Sequence, residues 1–251
     1  MRRILISTLA LLVSLAAVGT ANVAVGANTQ TLDARFAPVR VPKFNRAPGS
    51  INVVTTTGPA AGASGPGAVA PAVRAKIFFD RHLAFFTRGL AVCRPGRIEG
   101  KTDTQARAIC RRARVGAGTA KVALAGDPSQ ILTAKVTAFN GPTRGRKPTI
   151  VLHTWQQDTG LASILTGILR RSGGTYGYIL DVSIPQLPFG TAITRFQTRV
   201  QKTFRFRGKS RSYVSARCAR NSRRWFFKGV FNYNGSPRRI GKDVQNCRVR
   251  G

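Results

Sequence analysis

Acidic residues are scarce in this chain: 8 Asp and Glu stand against 41 Lys and Arg, a formal net charge of +33. Glu99 is the single glutamate. Glycoside hydrolysis by paired carboxylates needs one of them protonated near neutrality, whereas surrounding positive charge lowers carboxylate pKa values. The two histidines, His82 and His153, are isolated from each other in sequence. The four cysteines, Cys93, Cys110, Cys218 and Cys247, form no closely spaced pair. Structural zinc sites use such pairs because one tight turn must present two ligands, so no metal and no cofactor are expected. A G-x-S-x-G elbow and an S-x-x-K pair are both missing, which removes the usual signals for an exposed or lysine-activated nucleophilic serine. The stretch "FRGKS" (206–210) resembles the end of a phosphate loop, but Thr203 stands where its first glycine belongs. "KGVFNY" (228–233) likewise departs from an RNA-recognition motif at Val230 and Phe231. Catalysis is therefore not expected; its best remaining candidate is a hydrolase built on Asp80 and His82, which lie two residues apart.

Long apolar runs are confined to the start. Arg2 and Arg3 precede an apolar run from Ile4 to Val18, and small residues follow at Gly19, Ala21, Ala24 and Ala27. This order is that of an export signal over 1–27, cleaved after Ala21 or Ala27. The run is shorter than the roughly 20 residues of a membrane span, so the mature chain is expected to be secreted or extracytoplasmic, with no transmembrane segment. In that compartment four cysteines read as two disulfides. Four cysteines allow three connectivities; the sequential one, Cys93–Cys110 and Cys218–Cys247, closes two local loops and is preferred.

The remainder divides at residue 74. Residues 28–73 read as an extended segment with one short strand (51–57) and a loop (58–72) made only of Gly, Pro, Ala, Ser and Val. From 74 to 251 short β-patterned runs recur with turn signals between them, the pattern of an antiparallel β-sandwich, Ig-like or jelly-roll-like. One short helix is expected near 103–111, with Thr102 or Asp103 as its cap. Asn140-Gly141 reads as the start of a loop before "TIVLHTW" (149–155), and one long strand is expected from Gly190 to Phe206. "LASILTGILRR" (161–171) has apolar residues at helical spacing, yet Ser172-Gly173-Gly174 after it suits a hairpin turn; it is read as a strand, with a helix as the alternative. In "WFFKGVFNY", Trp225, Phe227, Phe231 and Tyr233 share one face, the pattern of sandwich core.

The motifs "GLAVC" (89–93), "IEGKTDTQARAIC" (98–110), "VGAGTAKV" (115–122), "YGYILDVSIP" (176–185) and "YVSARC" (213–218) resemble a group of uncharacterised secreted β-rich proteins of GC-rich bacteria. The resemblance is a loose pattern over most of 74–250. It implies the fold and carries no activity.

What the chain has in abundance is arginine, and it is unevenly placed: residues 195–250 hold 17 basic side chains and one acid, Asp243. In "RFQTRVQKTFRFRGKSR" (195–211) a strand would turn Phe196, Val200, Phe204 and Phe206 to the core. Arg195, Arg199, Arg205 and Arg207 would then line the other face, with Lys209 and Arg211 beyond the turn. Same-face neighbours sit roughly 7 Å apart, comparable to successive phosphates on a polyanion. The expected function is electrostatic association with an anionic cell-envelope polymer or a lipid surface, with extracellular nucleic acid as a non-specific partner. The alternative is a structural or adhesive module that binds protein or carbohydrate.

Overall fold

The computed structural model describes residues 27–124, 127, 129–187, 191–219 and 223–250. The expected export signal, up to residue 26, lies outside the described residues. The chain opens with strands β1 (Thr29–Ala37), β2 (Arg40–Val41), β3 (Ala47–Gly58), β4 (Ala72–Asp80) and β5 (Leu83–Phe85). The helix α1 (Asp103–Ile109) then precedes β6 (Arg114–Ala123), β7 (Ile131–Arg144), β8 (Lys147–Gln156), β9 (Leu161–Arg171) and β10 (Tyr176–Ser183). There follow β11 (Ala192–Val200), a hairpin of β12 (Thr203–Phe206) and β13 (Lys209–Ser212), then β14 (Val214–Ala216), β15 (Arg224–Tyr233), β16 (Arg239–Asn246) and β17 (Arg248–Val249).

Thirteen of these strands form one antiparallel sheet in the order β16-β15-β4-β10-β9-β8-β7-β6-β11-β3-β14-β5, with β1 also paired to β3. A twisted sheet of that width must curl. Here it folds over so that β15, β4, β10, β9 and β8 face β11 and β3 across a shared apolar interior, which makes the β-sandwich. β6 and β7 carry the sheet round from one layer to the other. Gly118 lets the neighbouring strand come close: a Cβ there would lie 1.8 Å from the carbonyl oxygen of Gln197 on β11. The aromatic stripe of β15 is core, with Trp225, Phe227, Phe231 and Tyr233 all buried.

Two edge strands of the sheet, β16 and β1, meet without a ladder. β16 approaches β1 so closely that a Cβ on Gly241 would be 3.0 Å from that of Leu32. Side chains from β16 supply the missing partners. Gln245 accepts from the Phe36 amide at 2.6 Å and donates to the Phe36 carbonyl at 2.8 Å, as an opposing peptide would. Asp243 accepts from the Ala34 amide at 2.7 Å and also pairs with Arg35. The side chain of Gln30 ends the seam by accepting from the hydroxyls of Thr57 and Tyr233. Phe36 packs edge-on against Trp225, with ring centres 5.1 Å apart, directly beneath.

Both disulfides join as the sequence led one to expect, Cys93–Cys110 and Cys218–Cys247. Such pairs belong to an oxidising compartment. The second disulfide lies beside the parallel pair of β2 and β17, next to the seam. The first holds a cap on the outer face of β7 and β8. There Cys93, Ile98, Ala106, Cys110 and Ala113 cover Phe139 and Val151. Helix α1 starts in a capping box: Thr102 Oγ1 accepts from the Gln105 amide, and Gln105 returns a bond to the Thr102 amide. Among the described residues no helix is long and apolar enough to cross a membrane.

Three local expectations need correction. Residues 28–73 hold β1, β2 and all of β3, with 51–57 inside β3, so this part carries more strand than one short run. Asn140 and Gly141 lie within β7, where the Asn140 side chain bonds the Ala91 carbonyl and its own carbonyl takes the Cys93 amide. The turn falls at Gly145-Arg146, both with positive φ. The long strand of 190–206 is broken after Val200, because Gln201 turns to bond the Val115 carbonyl and Lys202 accepts from the Tyr213 amide.

Replacing Gln245 by Leu leaves both backbone groups of Phe36 buried and unpaired, so urea unfolding should show a loss of about 3 kcal/mol, at roughly 1–3 kcal/mol per group. Amide exchange should quicken at Phe36 well before it does on β8. Reducing the Cys93–Cys110 bond alone, through a Ser pair, should cost about 3 kcal/mol by release of its loop.

Candidate anion-binding surface

The outer face of the sheet is set by its register. Arg195 and Arg199 on β11 are both exposed and stand two positions apart on that face. Across the ladder on β6, Arg195 lies directly opposite Lys121, and one strand further Lys135 opposes Thr119. Like charges opposite each other in a sheet repel, so this pairing is destabilising unless an anion lies over it. Lys121 and Lys135 were not singled out in the sequence. Their nearness to Arg195 depends on the order β7-β6-β11, which no local pattern announces.

The chain turn at 201–202 then redirects the basic surface. Lys202 lines two grooves of about 590 and 540 Å³. The first also holds Arg199 and Gln201, and the second holds Arg107, Arg111 and Arg114 from the end of α1 and the start of β6. Among the described residues neither lining includes a carboxylate. The nearest acid, Asp103, is buried, accepts from the Thr137 hydroxyl at 2.6 Å and meets Arg107 at 3.4 Å. Among the described residues the close ion pairs engage Arg35, Arg74, Arg107 and Arg170, leaving Arg199, Lys202, Arg111 and Arg114 without an acidic partner.

The other expected cations sit on the β12–β13 hairpin, apart from the main sheet. Arg205 is exposed and opposite Ser210, whereas Arg211 pairs across to Phe204 and Lys209 to Phe206. Phe204 and Phe206 pack on Phe86, and Arg211 lies over the same ring at 5.3 Å. Arg207 is the turn residue, with φ 50. Gly89 allows this docking, since a Cβ there would fall 2.1 Å from the Phe206 ring. The single arginine stripe is thus two groups: Arg195 and Arg199 on the sheet, and Arg205, Arg207, Lys209 and Arg211 on the hairpin.

The Asp80 and His82 pair is arranged around the backbone. Asp80 accepts from the His82 amide at 2.8 Å and from the Phe226 amide at 3.1 Å, one bond to each carboxylate oxygen. Burial raises its pKa above the ordinary carboxylate value and lowers that of His82. Asp80 therefore fastens the β4 turn to β15 and does not orient the imidazole. His153 is fully buried under the α1 cap, with Nε2 donating to the Lys101 carbonyl at 2.9 Å and Nδ1 unpartnered. Among the described residues no three His, Cys, Asp or Glu side chains gather where a metal could bind. No family model matches the chain, and neither a curated protein nor a solved structure matches it.

Burial lowers the His153 pKa below its ordinary value of 6.5, so the folded protein holds this ring neutral while the unfolded chain charges it. The stability this gives is complete above the unfolded pKa and is lost as pH falls below it. His153→Gln removes that titration. The stability gap between wild type and variant should therefore narrow between about pH 7 and about pH 5, as read by denaturant midpoints. A gap that widens on acidification would show that the ring gains a proton on folding.

Proposed function

We propose that the protein is a non-enzymatic binder of anionic polymers at the cell envelope, and that the two grooves meeting at Lys202 are its contact surface. The observation that carries this reading is a run of cations, Arg199, Lys202, Arg114 and Arg111, with no carboxylate in either groove lining. Such a path suits a flexible chain of repeating negative charge, because it crosses from a strand to a helix end and offers no single enclosed pocket. Affinity of this kind comes from releasing counterions, so it falls steeply with salt. The facing Lys121 and Arg195 extend the same field over the sheet. Lipid headgroups and nucleic acid present similar charge and would bind through the same term, without sequence or headgroup selectivity.

The adhesive alternative is less well supported, because the aromatic side chains of β15 that could form a sugar platform are buried in the core. A hydrolase reading has little support from Asp80, whose carboxylate oxygens are bonded to backbone amides.

The test is binding of fluorescent polyphosphate by anisotropy across a salt series. Joint replacement of Arg114, Arg199 and Lys202 by Gln should weaken binding at least tenfold and lower the slope of log K against log salt by about 2 to 3, close to one per contact. A control with the same loss of charge, Arg144, Arg146 and Lys147 replaced by Gln at the β7–β8 turn, should retain most of the affinity. Equal losses in the two variants would mean that bulk charge, not the grooves, holds the polymer.

A further inference from the structure

The interior between the two layers is not filled. A chamber of about 120 Å³ lies among side chains of β3, β4, β8, β9, β10, β11 and β15, including Ile51, Val53, Ile77, Leu152 and Leu169. It is close to the size of an engineered apolar cavity of about 150 Å³ that stays dry and admits benzene. Among the described residues no charged side chain lines it. Its polar lining residues are Thr55, Thr57, Thr198 and Tyr213, and burial pushes the Tyr213 phenol well above its ordinary pKa, so it too stays neutral.

A second and wider space of about 620 Å³ adjoins the first, with Leu165 and Ile193 lining both. It is walled by β6, β7, β8 and β9, is apolar on its Ala120, Val122, Leu132 and Ala134 side, and includes Gln156 at the end of β8. Natural cores are close-packed and leave few voids larger than a water molecule. A tapering apolar space spanning both layers of a sandwich is therefore a feature with a use, of the size class in which small ligands bind.

Two unpartnered atoms say what the occupant carries. Among the described residues, only six buried side-chain polar atoms have no hydrogen-bond partner, and two of them belong to lining residues: Oγ1 of Thr198, which lines the inner chamber, and Nε2 of Gln156, which lines the outer space. Thr198 is 6% exposed. The amide oxygen of Gln156 already accepts from the Thr159 hydroxyl, which fixes its Nε2 as a free donor. From Ile193, shared by both spaces, to Thr198 is five residues of strand, or roughly 17 Å at about 3.3 Å per residue. Among the described residues the one charge on the outer lining is the carboxylate of Asp127, which is bonded to Ser129 and disfavours an anionic head beside it.

We infer that the interior binds a neutral, single-chain amphiphile, with an oxygen of its head accepting from Gln156 Nε2 at the mouth and a second oxygen along its chain bonding Thr198. This site is separate from the basic grooves, whose linings share with it no residue.

The test uses the whole protein and the apolar fluorophore N-phenyl-1-naphthylamine, displaced by methyl oleate or by methyl ricinoleate, which differs by one mid-chain hydroxyl. Both esters should displace the probe, and the ricinoleate should bind several-fold more tightly. Thr198→Val, which keeps the side-chain shape, should abolish that preference and leave methyl oleate unaffected. Gln156→Leu should weaken both esters several-fold without weakening the probe. Ala75→Phe, which fills the inner chamber, should block all three while circular dichroism stays unchanged. Failure of both esters to displace the probe from the wild type would overturn the site. Equal binding of the two esters would overturn the role given to Thr198.

Discussion

A wide sheet has edges to hide, and this molecule sets two of its edge strands, β16 and β1, against each other. The bonds between Gln245 and Phe36 do that work. They let β16 lie against β1 although the two strands form no ladder, with Gly241 giving the room. Everything else in the fold follows from that closure. The sheet is closed on this flank where the two strands meet, Trp225 packs beneath Phe36, and the C-terminal disulfide lies beside the β2–β17 pair. Exposed strand edges invite pairing with other chains, and covering them with side-chain amides leaves no open row of backbone donors at the seam.

The closed sheet separates two kinds of chemistry by the alternation of its strands. Inward positions are almost wholly aliphatic or aromatic, and outward positions carry the arginines and lysines. On β11 the division runs residue by residue: Phe196, Thr198 and Val200 turn in, while Arg195 and Arg199 turn out. A strongly basic chain can therefore hold an uncharged interior. The few acids that remain are used where they stabilise structure. Asp181, for example, is pushed up by burial but pulled down further by its bond to Arg74 and by the charges of Arg74 and Arg170, and so stays ionised beneath them.

The fold was largely legible because alternation and cysteine spacing are local signals. Both disulfides, helix α1 with its Thr102 cap and the buried stripe of β15 could be read from a few residues each. The doubtful segment 161–171 also has a physical explanation. Leu165 and Leu169 face the interior while Ile164 packs under the α1 cap, so the strand is apolar on both sides and imitates a helical pattern. What could not be read was anything dependent on pairing between distant strands. The meeting of Lys121 with Arg195, the grooves around Lys202 and the interior space all arise from the strand order. The arginine stripe was legible as composition but not as geometry, since the break after Val200 comes from bonds to Val115 and Tyr213 that no nearby residue foretells.

The seam also fixes when the molecule can become itself. Phe36 and Gln245 are 209 positions apart, so the first long strand waits for almost the last one. A chain emerging from its amino end can pair β1 with β3 and lay down β6 to β10 by short hairpins. Until β16 arrives, however, the curled sheet has an open flank and its apolar lining faces water. Contacts of such long range are slow to form, because the intervening loop must be closed before they contribute. Strand β16 thus acts as a latch, and a molecule truncated before Asp243 would be an almost complete sheet that cannot shut.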